Sequence, residues 1–327
     1  KIRYPRSFIF IFSRQAIMNS KKTALITGVT GFLGRYIARY FSEQGWDVIG
    51  IGTSPPENAP LANLTKYHCL RLPDSALHGI LQDHPPSICI HCAGRASVPL
   101  SVSEPVSDFY TNSVITFELL NAIRLHSSKC KFIFLSSAAV YGNPQSLPIS
   151  ETQIVSPISP YGFHKLMCEQ MCLEFTKVYG LETASVRIFS AYGPGLRRQV
   201  VWDICQKAIT QGSLLLQGTG EESRDFIHAL DIAKALSIIL ESAPMAGEVY
   251  NLGTGREVKI SELVTMVLNS LEEDFTPEFD GLVPAGNPIN WQADISKLKS
   301  IGFTPTVELE RGVKTFVNWC RAELVGV

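Results

Sequence analysis

The chain has 327 residues, with 29 Lys plus Arg against 30 Asp plus Glu, so its formal net charge is −1. That balance lacks the basic surplus of a general nucleic-acid binder and excludes that class. Charged residues make up 18% and hydrophobic residues 45%, less charge than the roughly 25% of ordinary soluble domains, so much of the chain is expected to be buried; no apolar run approaches the ~20 residues that span a bilayer.

Residues 1–17 contain Phe8-Ile-Phe-Ile-Phe12 after Arg3 and Arg6. The apolar run is shorter than the roughly 7–15 residues of a secretory signal, so this segment is read as expression-derived or upstream sequence, with a weak membrane-surface anchor as the alternative. Thr23-Ala-Leu-Ile-Thr27 then suits a buried parallel strand. Glycines follow at 28, 31 and 34, and residues 33–45 have helical spacing, with Leu33, Ile37, Ala38 and Phe41 on one face. The pattern predicts strands over 47–51, 67–72, 87–93, 131–137 and 183–189, a loop over 53–63, and helices over 104–126 and 160–179. Such alternation implies βαβ units and a parallel sheet with helices on both faces. After Ser190 the rhythm loosens, punctuated by Gly193-Pro-Gly195, Gly218-Thr-Gly220 and Gly253-Thr-Gly255, and 277–288 looks like loop. The expected division is a dinucleotide-binding domain over 18–189, with 228–253 returning to it, and a smaller mixed α/β lobe for substrate over 190–227 and 254–327.

The turn Gly28-Val-Thr-Gly31-Phe-Leu-Gly34 lies between the first strand and the first helix. Glycines there permit close approach of backbone to a pyrophosphate, and the helix N-terminus offers free N–H groups and partial positive charge. The spacing is GxxGxxG, so the turn holds one residue more than the dinucleotide fingerprint. Gly28, Gly31, Phe32, Leu33, Gly34 and Arg35 are the candidate cofactor turn. The second strand runs into Gly52-Thr53-Ser54, with no carboxylate for an adenosine ribose. Thr53 faces that position and Arg35 stands near it, which leaves NAD against NADP open and leans toward tolerance of NADP.

Tyr161 and Lys165 stand four apart on a predicted helix and so share a face. A phenol has a pKa near 10, and a nearby ammonium favours its phenolate, which makes Tyr161 an acid–base candidate. Phe134-Leu-Ser-Ser137 ends the fifth strand, where open α/β sheets bind ligands, so the Ser137 hydroxyl can hold the oxygen that Tyr161 protonates. Of eight cysteines, Cys89 and Cys92 form a C-x-x-C, but no second pair stands at zinc spacing. Buried thiols in a reducing cytoplasm, with no metal, are expected.

Taken together these segments resemble the extended short-chain dehydrogenases/reductases of the NAD-dependent epimerase/dehydratase family, which act on nucleotide sugars. The matching stretches are TGVTGFLG at 27–34, HCAGRASV at 91–98, FLSSAAVYG at 134–142, YGFHK at 161–165, RIFSAYGPG at 187–195, RDFIHALDIA at 224–233 and NLGTG at 251–255. The resemblance implies a Rossmann-type doubly wound parallel sheet with a smaller lobe. It implies Ser137, Tyr161 and Lys165 as catalytic residues, with Tyr161 and Lys165 also touching the cofactor. It implies Ala93 and Gly94 lining that cofactor, Asn112 supporting the site and Arg224 meeting a substrate diphosphate. Ser190, Arg198 and Gln217 join Arg224 as substrate-binding candidates. A homodimer packed through helices near 105–126 and 160–179 is also implied.

The departures narrow the activity. Dehydratases of the family carry Asp-Glu directly after the catalytic hydroxyl, whereas this chain has Ala138 and Ala139. Ser190 stands where the family usually has Asn. The segment Pro284-Ala-Gly-Asn287, ahead of Ala293-Asp294, replaces an Arg-x-Gly-Asp that supplies a second phosphate ligand, a role Arg197 and Arg198 could take over. The leading expectation is a nucleotide-sugar 4-epimerase that oxidises and re-reduces C4 through a 4-keto sugar. The alternatives are a 4-keto-sugar reductase and a non-catalytic dinucleotide-binding scaffold. No nucleic-acid or membrane partner is expected.

Overall fold

The structure, a computed structural model, describes residues 22–58, 61–212, 214–274, 276–282 and 288–326. The upstream segment 1–17 and the stretch Pro284-Ala-Gly-Asn287 lie outside the described residues. Six strands build most of a parallel sheet: β1 (Thr23–Thr27), β2 (Asp47–Gly52), β3 (Lys66–Cys69), β4 (Ile88–His91), β5 (Lys131–Ser137) and β6 (Thr183–Ile188). A seventh strand, Ala246–Leu252, pairs with β6, and the order across the sheet is Ala246–Leu252, β6, β5, β4, β1, β2, β3. Strand order reverses between β1 and β4, and the crevice above that reversal is where such sheets take ligands.

Alternation along the strands explains the two-sided burial. Ala24 and Ile26 of β1 and Ile133 and Leu135 of β5 pack with Ile37 and Phe41 of the helix Phe32–Glu43 and with Ile232, Leu236 and Ile239 of the helix Ala229–Ser242. Their neighbours Leu25, Phe132 and Phe134 face the other way, onto Leu119, Ile123, Cys168, Cys172 and Phe175. This Rossmann-type layering buries both faces of the sheet, which is why the strands are apolar throughout. A separate apolar cluster joins the helices Gln199–Gln211, Ile260–Leu271 and Leu309–Val325.

Several expectations need correction. The third and fourth strands are shorter than the apolar stretches that suggested them, ending at Cys69 and His91. The expected elements lack two helices: Ala76–Asp83, which buries Leu77, Ile80 and Leu81 at i, i+3 and i+4, and the six-residue Val98–Ser103, which buries only Ser101. The long helix over 104–126 is not uniform: an α-helical turn at Pro105–Phe109 passes through a π turn, Tyr110–Val114, into the helix Ile115–His126. The extra residue of a π turn shifts the register and turns Asn112 inward. Its amide donates to the carbonyls of Arg95 at 3.2 Å and Asp108 at 3.1 Å. Within 277–288, Glu278–Phe279 is a short strand paired with Leu215–Leu216.

Candidate active site

The crevice begins at the first turn. Gly28 has φ +65°, and a β-carbon there would lie 2.7 Å from the Ala93 nitrogen. A β-carbon on Gly34 would run into the Gly28 carbonyl. Only glycine lets β1, the helix and the end of β4 come this close. Gly31 caps the helix with no side chain, and no acid stands in the first turn. The first helical bond runs from Arg35 N to Gly31 O at 3.1 Å, so the amides of Phe32, Leu33 and Gly34 precede the ladder and face outward with the positive end of the dipole. Arg35 Nε donates to Thr30 O at 2.9 Å, and Thr53, at the end of β2, is exposed.

Ala93 and Gly94 form a ledge opposite this turn. A β-carbon on Gly94, whose φ is +146°, would lie 2.7 Å from Asn112 Oδ1, a buried oxygen with no partner among the described residues. A glycine-walled groove, bare helix amides and an orphaned buried oxygen fit a dinucleotide.

The candidate acid–base pair sits deeper. Ser159 caps the helix Pro160–Tyr179 by accepting from Gly162 N at 3.2 Å, and Pro160 fills the first helical position. Gly162 lets this helix press on the turn Ala138–Val140, since a β-carbon there would lie 2.6 Å from Ala139 O. Tyr161 and Lys165 are both buried. The ammonium of Lys165 is 5.8 Å from the Tyr161 ring centroid and donates to Leu135 O at 2.8 Å. Ser137 Oγ accepts from Ala139 N at 3.2 Å, which leaves its own proton for a ligand oxygen. Ala138 and Ala139 bring no acid or base to this pocket.

A buried network stiffens the frame. Glu169, one turn beyond Lys165, takes Arg187 Nη2 at 2.7 Å and Nε at 2.9 Å, and accepts from Ser136 Oγ at 2.6 Å. Arg187 Nη1 donates to Tyr141 Oη, which donates to Asn251 Oδ1. The helix Pro160–Tyr179, β5, β6 and the strand Ala246–Leu252 are thereby tied together. The pairing of Glu169 with Arg187 is not legible in the sequence, because a buried ion pair leaves no local pattern.

The outer wall comes from later segments. Tyr36 Oη donates to Pro194 O at 2.9 Å and holds the Gly193-Pro-Gly195 loop against the first helix, next to Phe32. Arg198 Nη1 donates to Ala96 O at 2.7 Å, so it bridges to the loop beyond Gly94. Arg197 does not join it: its guanidinium pairs with Glu323 at 2.9 Å and stacks on Trp319. Arg224 donates to the carbonyls of Ser223 at 2.7 Å and Ile289 at 3.0 Å and lies over the Trp291 ring. It makes no ion pair among the described residues, and burial pulls its pKa down to about 10, against a smaller upward pull from Glu222. A desolvated guanidinium without a carboxylate is a ready anion receptor. Ser190 is half-buried on the strand Ser190–Tyr192, its nitrogen bonded to Asp225 O, and Gln217 is exposed after the strand Leu215–Leu216. Among the described residues no group of three or more His, Cys, Asp or Glu could hold a metal, and no helix is long and apolar enough to cross a membrane.

The model of the NAD dependent epimerase/dehydratase family matches residues 24–253. The chain belongs to the NAD-dependent epimerase/dehydratase family. Among members of this family, it is 30% identical over 320 residues to a UDP-glucose 4-epimerase of Halalkalibacterium halodurans, covering 90% of this chain and 94% of that protein. The UDP-glucose 4-epimerase of Thermotoga maritima, solved with UDP-glucose, superposes with a TM-score of 0.85 at 29% identity, over 92% of this chain and 99% of the other. That of Thermus thermophilus, solved as a complex with NAD, gives a TM-score of 0.84 at 26% identity, over 92% and 100%. The epimerase/dehydratase match spans both the glycine turn and the Tyr161–Lys165 helix.

Proposed function

We propose that this chain is an NAD-dependent nucleotide-sugar 4-epimerase acting on a UDP-sugar. One observation carries the reading: a buried Tyr161–Lys165 pair whose lysine is anchored at Leu135 on the strand that ends in Ser137, with alanines where an eliminating enzyme needs an acid and a base. The full-length relatives named above are 4-epimerases, which favours this reading over the 4-keto reductase.

Bound NAD would supply the hydride acceptor and donor for sugar C4. Gly28, Gly31 and the amides of Phe32, Leu33 and Gly34 would hold its pyrophosphate, Ala93, Gly94 and Asn112 would wall its other side, and Lys165 would hold a ribose hydroxyl. Tyr161 Oη takes the C4 hydroxyl proton, with the Lys165 ammonium held on the same helix face by its bond to Leu135 O. Ser137 Oγ donates to the sugar O4 and steadies the charge that develops there. Arg224 and Arg198 grip the diphosphate, with Ser190 and Gln217 nearby, while the 4-keto sugar turns its other face to the nicotinamide. Tyr161 Oη then returns the proton, so neither cofactor nor acid is consumed. The absence of a carboxylate at Thr53 and the proximity of Arg35 favour acceptance of NADP as well as NAD.

The chain also forms a homodimer in this reading. Val106 is 74% exposed, Tyr110 57% and Phe163 50%, with Phe109 and Met167 beside them, on two helices that pack together. So much exposed apolar surface on adjacent helices suits a second copy.

The test is to denature the purified protein and identify the released dinucleotide by mass, then to assay UDP-glucose/UDP-galactose interconversion without added cofactor. Turnover with a retained dinucleotide is expected. Activity that appears only with stoichiometric NADPH would overturn the epimerase in favour of a reductase.

A further inference from the structure

The end of β4 carries a buried group that the mechanism above does not use. His91 is 1% exposed. Its Nδ1 lies 2.6 Å from Thr27 Oγ1 and its Nε2 lies 3.1 Å from Thr116 Oγ1. The proton positions follow from the partners. Thr116 Oγ1 donates its single proton to Asn112 O at 2.6 Å, so towards His91 it can only accept. Nε2 therefore carries the hydrogen, and Nδ1 accepts from Thr27 Oγ1. Thr27 Oγ1 in turn accepts from Ala93 N at 3.2 Å. Four bonds thus run one way, from the Ala93 amide through Thr27, His91 and Thr116 to the Asn112 carbonyl. Both ends of the chain belong to the ledge: Ala93 precedes Gly94, and the Asn112 side chain lies under Gly94. Asn112 O also accepts from Cys168 Sγ of the catalytic helix at 3.5 Å.

We propose that His91 is a positioning residue for the cofactor: its neutral ring locks the Ala93–Gly94 backbone to the π turn of Asn112. The inference rests on the reading of Ala93 and Gly94 as a cofactor surface. A single acceptor and a single donor are needed at this point, and a neutral imidazole supplies one of each. A ring bearing two protons would meet the Thr27 hydroxyl as a second donor, force it to turn, and release the Ala93 amide. It would also place a second cation near Lys165. Phenylalanine keeps the ring's shape but gives neither bond. Without the chain, β1, β4 and the π turn keep their apolar packing, while the ledge loses its fixed height over Asn112.

The experiment uses the full chain stripped of dinucleotide, with NAD and UDP as separate probes in calorimetric titrations. The variants are H91F, H91Q and T116V, each checked for folding by circular dichroism. For H91F we expect NAD to bind about tenfold more weakly, the scale of one net hydrogen bond, with UDP affinity unchanged. T116V, which breaks one link and leaves the histidine, should weaken NAD in the same direction by less, and H91Q should recover part of the loss. The proposal fails if H91F and T116V bind NAD like the parent, or if NAD and UDP weaken together, as a general loosening would cause. A parent protein that binds no nicotinamide dinucleotide would instead defeat the cofactor reading, and the parent titration alone separates that outcome.

Discussion

The Lys165 ammonium stands 5.8 Å from the centre of the Tyr161 ring and is anchored to the carbonyl of Leu135, two residues before Ser137. The lysine is thus tied to the strand that presents the serine, and its ammonium is held at a set distance from the Tyr161 ring. Replacing Tyr161 by Phe removes only the oxygen to which the proposed mechanism assigns the proton transfer. We expect kcat to fall by about 10²–10⁴, the usual worth of a placed proton-transfer group, with folding and dinucleotide retention unchanged. Steady-state kinetics beside a mass assay of bound dinucleotide checks this.

Arg224 should act on substrate binding alone. The R224M variant keeps the packing over Trp291 but loses the charge that burial has left without a carboxylate partner. KM for the UDP-sugar should rise by about 10- to 100-fold, the range of one charge-assisted contact of 1.5–3 kcal/mol, with the dinucleotide still retained. A parallel loss of dinucleotide would contradict the assignment.

The Glu169–Arg187 pair governs stability. Changing Glu169 to Leu strands a buried guanidinium, and the expected cost is about 3–5 kcal/mol. Changing Arg187 to Met as well removes the stranded charge and should restore much of that loss. Urea unfolding of the single and double variants measures both.

Acid should loosen the fold partly through His91. Burial, reinforced by the Lys165 charge, lowers its pKa from the ordinary 6.5 to about 3. The unfolded chain therefore binds a proton below pH 6.5 that the folded chain refuses down to about pH 3, and stability declines as pH falls through that window. In H91F this contribution vanishes, so its unfolding free energy should fall less steeply between those limits.

A methyl group at Gly28 should abolish dinucleotide binding. Positive φ and the 2.7 Å approach to Ala93 N leave no room for it. The released-dinucleotide assay should find none in G28A.

Much of this protein is legible in its sequence, for reasons that are local. An apolar strand, a glycine turn and an amphipathic helix follow one another over 23–43, so the cofactor turn can be read from neighbours in the chain. Tyr161 and Lys165 are one helical turn apart, so their shared face needs no tertiary information. Ser137 follows from its place at the end of an apolar strand, and family resemblance added Ala93, Gly94 and Asn112, of which the last two meet in the structure. What folding alone decided are meetings between residues far apart in sequence. Arg197 and Arg198 are adjacent and chemically identical, yet one pairs with Glu323 and the other reaches Ala96. The π turn at Asn112 has no compositional mark, because it is selected by the carbonyls it must satisfy on Arg95 and Asp108. His91 and Arg187 open two of the matching stretches without showing a role there, and Glu169 carries no local signal until the sheet assembles. Their roles come from partners that exist only once water has been removed from around them, and burial of that kind is a property of the packed whole.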